Sequence, residues 1–390
     1  ESGKPVIGTV CANIPDEILQ AAGLLPLRVR APGIEDTANA DSHMHRINCS
    51  YTRSVLELLL SGQLEFLDGL VTTNTCDHML RLASELEANG RFPFVHHFSM
   101  YHALGTASTE WFVREMQRMI DHVEASFGTK VTARDLCESI NASDRVRGLM
   151  TRLNDLRKED PPRLSGAEYL NVALTGMSVP KERFCEKLKD LIPELEQRQL
   201  EGQGRPRLMV LGGGCDAPGF IDFIEAGGAW VVADGLCFGT RYYQGYSDED
   251  AEDPVLAIAN RYAGRLACPS IMNAFDHNHE ILTQMIRDWR VDGVVCARLK
   301  FCDHWAGFRK LLTEALQQDD IPVLDLRGGG NGNAGAAAKG LLSDAEVDAV
   351  VQPPFSLVAE EPSVERGLGP AAGDEGADRV GPVGHRPDFL

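Results

Sequence analysis

The chain has 390 residues, 43% of them hydrophobic, and a formal net charge of -19 at pH 7. Such an acidic balance lacks the basic footprint that nucleic-acid phosphates and anionic membrane surfaces require, and it argues against both partners. No apolar run reaches the roughly 18 residues of a membrane-spanning helix. At about 100–200 residues per domain the length suggests two or three domains. The first residues lack the basic and apolar regions of a secretory signal, and a cytoplasmic location is expected. There, ten cysteines stay reduced and serve as core residues or metal ligands rather than disulfides.

In chain order, short apolar runs alternate with helical patterns, the signature of an α/β architecture. Residues 5–10 read as a strand, and Pro15-Asp16-Glu17 opens a helix, with Pro suited to a first turn. A helix over 50–62, a strand near 67–73 and a helix over 78–86 follow. Strands are expected again at 207–211, 230–233, 293–299 and 322–326. Helices at 218–225, 254–266, 279–289 and 308–316 lie between or after them. The middle differs. Phe112, Met116, Met119, Ile120, Val123 and Phe127 fall on one helical stripe, suited to core packing. Residues 142–158 and 180–199 are also helical, and strand signals are scarce between about 105 and 203. The expected organisation is an N-terminal α/β lobe over 1–105, a helical segment over 106–203 and a C-terminal α/β lobe over 204–352. From 353 to 390 the composition turns to Gly, Pro and acidic residues, which points to a flexible tail.

A partial internal repeat places the cysteines. Asp68-Gly69-Leu70-Val71 leads to Cys76-Asp77-His78, and Asp292-Gly293-Val294-Val295 leads to Cys302-Asp303-His304. Each time an acidic-Gly turn starts an apolar strand, the Cys-Asp-His triplet follows, and then come an amphipathic helix and a Pro-containing strand. Two related lobes would each offer a cysteine beyond the carboxyl end of a strand, where open α/β sheets bind ligands. Each cysteine would sit at a helix start, where the dipole and free amides favour a thiolate, and Asp77 and Asp303 are suited to cap those helices. Cys49, in Asn48-Cys49-Ser50, lies in a similar place. Three converging thiolates can hold a cubane iron–sulfur cluster and leave one iron open. No Cys-x2-Cys pair occurs, so the knuckle spacing of structural zinc is missing. Cys137, Cys185, Cys237 and Cys268 are expected in the core.

These cysteines, together with Ile14-Pro15-Asp16-Glu17, Ala21-Ala22-Gly23, Tyr51, Arg53-Ser54, Gly227-Gly228-Ala229, Asp234 and Arg261-Tyr262, resemble the family of 2-hydroxyacyl-CoA dehydratases and ATP-dependent benzoyl-CoA reductases. The resemblance spans roughly residues 5–330 and is greatest to the smaller cluster-bearing reductase subunit. It implies two flavodoxin-like lobes with parallel sheets and one [4Fe–4S] cluster on Cys49, Cys76 and Cys302. It also implies a homologous second cluster-bearing subunit, ATP-hydrolysing iron–sulfur activator subunits that deliver low-potential electrons, and an aromatic acyl-CoA substrate. The implied reaction is ATP-dependent dearomatisation of benzoyl-CoA, or a substituted benzoyl-CoA, to a cyclic dienoyl-CoA. A subunit of a radical 2-hydroxyacyl-CoA dehydratase and a non-catalytic electron-carrying subunit are the alternatives. Candidate proton donors are His78, His97 and His304. The glycine run 212–214 could seat a phosphate on helix amides, although a tight strand–helix turn is the better reading of it. After Asp325-Leu326-Arg327 the sequence departs from the family and becomes glycine- and alanine-rich.

Overall fold

The computed structural model of the protein describes residues 3–34, 36–248 and 251–328; the expected tail lies outside them. Its first part runs β1 (Val6–Thr9), α1 (Asp16–Ala21), β2 (Leu25–Arg28), α2 (Ala38–His43), α3 (Ser50–Leu60), β3 (Gly69–Thr73), α4 (Asp77–Asn89) and β4 (Phe94–Phe98). Four long helices follow: α5 (Thr106–Phe127), α6 (Ala133–Asp155), α7 (Gly166–Gly176) and α8 (Lys181–Gln197). The last part comprises β5 (Arg207–Gly212), α9 (Pro218–Ala226), β6 (Trp230–Asp234), α10 (Thr240–Tyr243), α11 (Pro254–Gly264), α12 (Phe275–Asp288), β7 (Gly293–Leu299), α13 (Asp303–Gln318) and β8 (Val323–Gly328).

Two four-stranded sheets result, ordered β2-β1-β3-β4 and β6-β5-β7-β8, and every pairing is parallel. This is the flavodoxin-like order, formed twice. The aspartates of the internal repeat explain part of it. The Asp68 carboxylate accepts the Val6 amide at 2.7 Å, and the Asp292 carboxylate accepts the Arg207 amide at 2.8 Å. Each aspartate thus ties the start of the third strand in its lobe to the start of the first. The glycine after Asp68 is dictated by close approach, since a Cβ on Gly69 would lie 2.6 Å from the Phe94 carbonyl oxygen.

The middle helices follow local rules. Thr132 with Asp135, and Ser165 with Glu168, form reciprocal capping boxes at the starts of α6 and α7. Gly90 and Gly128 end α4 and α5 in the left-handed conformation. The α5 stripe of Phe112, Met116, Met119, Ile120 and Val123 is buried throughout. One continuous core includes both sheets and these helices, reaching Leu208, Val210 and Val295; Met209, Leu211 and Val294 point into a smaller second core. The period-two split along β5 shows a strand buried on both faces.

Several motif residues form buried ion networks joining successive parts of the chain. Glu17 on α1 accepts from Arg147 on α6, faces Arg261 of α11 at 3.5 Å and lies beside the Tyr262 hydroxyl. Asp234 at the end of β6 accepts from Arg157 at 2.9 Å, and the Arg157 guanidinium stacks 3.8 Å over the Tyr169 ring. These motifs therefore act in packing.

Candidate metal centre

Cys49, Cys76 and Cys302 are each the residue immediately before a helix, of α3, α4 and α13 respectively. The expected capping by Asp77 and Asp303 is not what is observed. Both aspartates are the first helical residue, and neither side chain closes a cap, because the extended cysteine itself occupies the cap position. The same holds for Cys49, where Asn48 instead donates to the His45 carbonyl at 2.8 Å. The three helix starts share one geometry. The amide three residues on faces each sulfur: Thr52 for Cys49, Met79 for Cys76 and Trp305 for Cys302. Orphan first-turn amides are thus aimed at sulfur.

The three thiols lie within mutual electrostatic reach. Burial, reinforced by Cys49 and the other neighbouring cysteines, lifts Cys76 well above the ordinary thiol range and pushes Cys302 up to about 12. Burial also raises Cys49, against the pull of the Thr52 amide. Without a cation the trio is therefore neutral, and a bound metal would invert that balance. From sequence Cys268 is expected in the core, but it is partly exposed and faces both Cys76 and Cys302. Cys296 is fully packed on β7. All ten cysteines are free.

His78 connects the three cysteine-bearing segments. Its Nδ1 lies 3.0 Å from Asn48 Oδ1, beside Cys49, and its Nε2 lies 2.8 Å from the carbonyl oxygen of Phe301, beside Cys302. Phe301 itself adopts φ 68°, a left-handed conformation uncommon for an aromatic residue, which turns its carbonyl region toward α4. His97 on β4 pairs through Nδ1 with the Thr72 hydroxyl at 3.1 Å. His304 is half-buried beside His102 and Asp77. The glycine run is a packing device: a Cβ on Gly214 would meet the Tyr51 ring at 3.1 Å, and one on Gly213 would meet Trp305 at the same distance. Tyr51 reaches the carbonyls of Val10 and Val29 beyond β1 and β2.

Among the described residues no three Cys, His, Asp or Glu side chains converge tightly enough for a single metal ion. No helix there is long and apolar enough to cross a membrane.

The profile of the family described as 2-hydroxyglutaryl-CoA dehydratase, D-component, matches residues 11–344. The chain belongs to this family. Within it, the chain is 23% identical over 333 residues to a benzoyl-CoA reductase subunit of Thauera aromatica, an alignment covering 84% of this chain and 86% of that protein. It is 23% identical over 307 residues to the (R)-phenyllactyl-CoA dehydratase beta subunit of Clostridium sporogenes, covering 78% and 80%. It is 20% identical over 327 residues to the beta subunit of the (R)-2-hydroxyglutaryl-CoA dehydratase of Acidaminococcus fermentans (strain ATCC 25085 / DSM 20731 / CCUG 9996 / CIP 106432 / VR4), covering 82% and 86%. These relatives are subunits by name, and the family is one of dehydratase and reductase subunits.

Proposed function

We propose that the chain is the iron–sulfur subunit of a hetero-oligomeric acyl-CoA enzyme and holds a [4Fe–4S] cluster on Cys49, Cys76 and Cys302. The observation that carries this reading is the shared setting of three cysteines. They stand at three helix starts, drawn from both sheets, in mutual electrostatic reach, with an amide facing each sulfur. The residues suit such a group. Thiolates are its usual ligands, and hydrogen bonds to sulfur tune its potential. A cubane presents its irons at separate corners, so its ligands stand farther apart than those of one ion. When bound, the cluster supplies single electrons at low potential.

The chain's own residues do the rest. His78 ties the Cys49 and Cys302 segments to α4, which fixes the three sulfurs relative to one another. With both ring nitrogens engaged, His78 positions rather than donates. His304 makes no side-chain hydrogen bond among the described residues, so of the three candidate histidines it is the one with both ring nitrogens able to pass a proton. Ile47, Leu80 and Phe301 are exposed by 58%, 46% and 37% and flank the three cysteines in sequence. A homologous partner covering these apolar side chains would exclude water from a radical intermediate.

Two reactions share this apparatus. Dearomatisation of a benzoyl-CoA, adding two electrons and two protons to give a cyclic dienoyl-CoA, is supported by the Thauera relative's name. Elimination of water from a 2-hydroxyacyl-CoA, using one recycled electron, is favoured by the family description and by the names of the Clostridium and Acidaminococcus relatives. ATP consumed at every turnover with a diene product establishes the first; ATP needed only to start, with an enoyl thioester product, establishes the second. Cluster ligation is tested on anaerobically purified protein, which should contain about four irons and four sulfides per chain. Cys49→Ala, Cys76→Ala or Cys302→Ala should abolish it and Cys137→Ala should not. An intact cluster in Cys76→Ala refutes the ligand set.

A further inference from the structure

Arg241 on α10 is 5% exposed, yet among the described residues its guanidinium donates no hydrogen bond and meets no carboxylate at ion-pair distance, and its Nε and Nη1 are enclosed without a partner there. Two further buried arginines share this environment. Arg28, at the carboxyl end of β2 and 4% exposed, donates to the Thr9 carbonyl, and its Nε is likewise unpartnered. Arg265, 2% exposed, donates to neutral oxygens alone: the carbonyls of Arg241 and Ala12 and the side chain of Asn13. Among the described residues, none of the three forms an ion pair. The carboxylates that face Arg28 are committed elsewhere, Asp216 to the Ala31 amide and Asp16 to the Tyr242 hydroxyl.

The three cations meet at two thiols beyond the strand ends. Cys237, after β6, faces Arg241 and Arg28; Cys11, after β1, faces Arg28 and Arg265. The Tyr101 hydroxyl, also buried without a partner, faces Arg265. Buried guanidinium charge with free donors is costly unless an anion accompanies it. The crevice beyond the carboxyl ends of parallel strands is where such folds bind ligands. Arg28 lies 4.6 Å over the Phe238 ring, so an aromatic wall adjoins the cations.

We propose that Arg241, with Arg28 and Arg265, forms a site for the carboxylate of a small organic ligand, enclosed between the carboxyl ends of the two sheets. The planar fork of a guanidinium matches the two oxygens of a carboxylate. Cys268 faces Cys237 and also Cys76 and Cys302 of the trio, so a ligand held here lies near those cysteines. The site itself stands independently of the iron–sulfur reading.

Anaerobic isothermal titration of the purified protein with acetate, glutarate and inorganic phosphate tests it. Carboxylate binding should saturate, weaken at least tenfold in Arg241→Gln, and persist in Arg145→Gln, which removes an exposed arginine, and in Cys76→Ala. Arg241→Met should melt at a higher temperature than the unaltered chain without ligand, because it deletes an unpaired buried charge, and should lose the stabilisation that acetate gives. Saturation by phosphate alone overturns the carboxylate assignment. Carboxylate affinity unchanged in Arg241→Gln overturns the site, and so does a lower melting temperature of Arg241→Met together with unaltered acetate stabilisation.

Discussion

Glu17 is a position where changing a single atom has a calculable effect. Its carboxylate is 1% exposed and is met by Arg147, by Arg261 at 3.5 Å and by the Tyr262 hydroxyl at 3.5 Å. Burial alone would raise this carboxyl, but Arg147 and Arg261 outweigh it and hold it at about 2, down from 4.5. At about 1.4 kcal/mol per tenfold, that preference for the ionised form is worth roughly 3 kcal/mol. Glu17→Gln, which mimics the neutral acid, should lose about that much. It falls at the low end of the 3–5 kcal/mol typical of broken buried pairs, because Arg147 keeps Asp144 as a partner. Against a whole-domain stability of about 5–15 kcal/mol this is large. Urea denaturation followed by tryptophan fluorescence reads it. The pH dependence has a defined sign. A carboxyl held low in the folded state stabilises fully above about 4.5, and the benefit disappears as pH falls toward 2. The curves of the unaltered and Glu17→Gln chains should therefore converge across that window. A loss under about 1 kcal/mol at pH 7, or curves that stay parallel into acid, would refute the reasoning.

Other outcomes follow from the geometry. His78→Ala removes both links among the ligand segments and should lower cluster occupancy and broaden its electron paramagnetic resonance signal, with partial recovery in His78→Gln; an unchanged spectrum contradicts the positioning role. Gly69→Ala drives a methyl against the Phe94 carbonyl and should cost about 1–3 kcal/mol in a denaturation experiment, whereas Gly264→Ala, which meets nothing within 4 Å, should cost far less. Phe301→Glu, at an exposed apolar position, should leave the isolated chain's melting temperature within about 2 °C and yet abolish co-purification with the homologous subunit; retained co-purification places the interface elsewhere.

The α/β pattern and the paired Cys-Asp-His segments are legible because they rest on local chemistry. Leu208–Leu211 and Val294–Ala297 are unbroken apolar runs, and the α5 stripe has a clear helical period. Leu25–Arg28 does not read as a strand because its proline looks like a turn; it is tolerated because β2 is the edge of its sheet. Helix α13 begins at Asp303, five residues before the apolar signal at Phe308, because Asp303 and His304 after the cysteine cap are polar and Gly307 interrupts the pattern. Helix α7 lacks a strong amphipathic period, and its one local sign is the capping box that Ser165 and Glu168 spell. At the site, the three cysteines can be singled out from their sequence context. The hydrogen bonds of His78 cannot, because its partner carbonyl is 223 residues away. The unpaired state of Arg241 is equally invisible in a sequence: it depends on which carboxylates are used up by other partners.

The span between His78 and Phe301 bears on how the protein is made. Ribosomes add about 5–20 residues per second, so on the order of tens of seconds separate the emergence of Cys76 from that of Cys302. During that interval the first sheet can form while Cys49 and Cys76 stand at its rim without the third thiol and without the histidine's second anchor. With the ligand set proposed above, metal loading would be completed only on a chain whose second sheet has already closed. On that proposal, a cell producing this protein would have to keep two neighbouring thiols reduced through synthesis, and machinery delivering iron would have to recognise a folded body rather than a nascent segment.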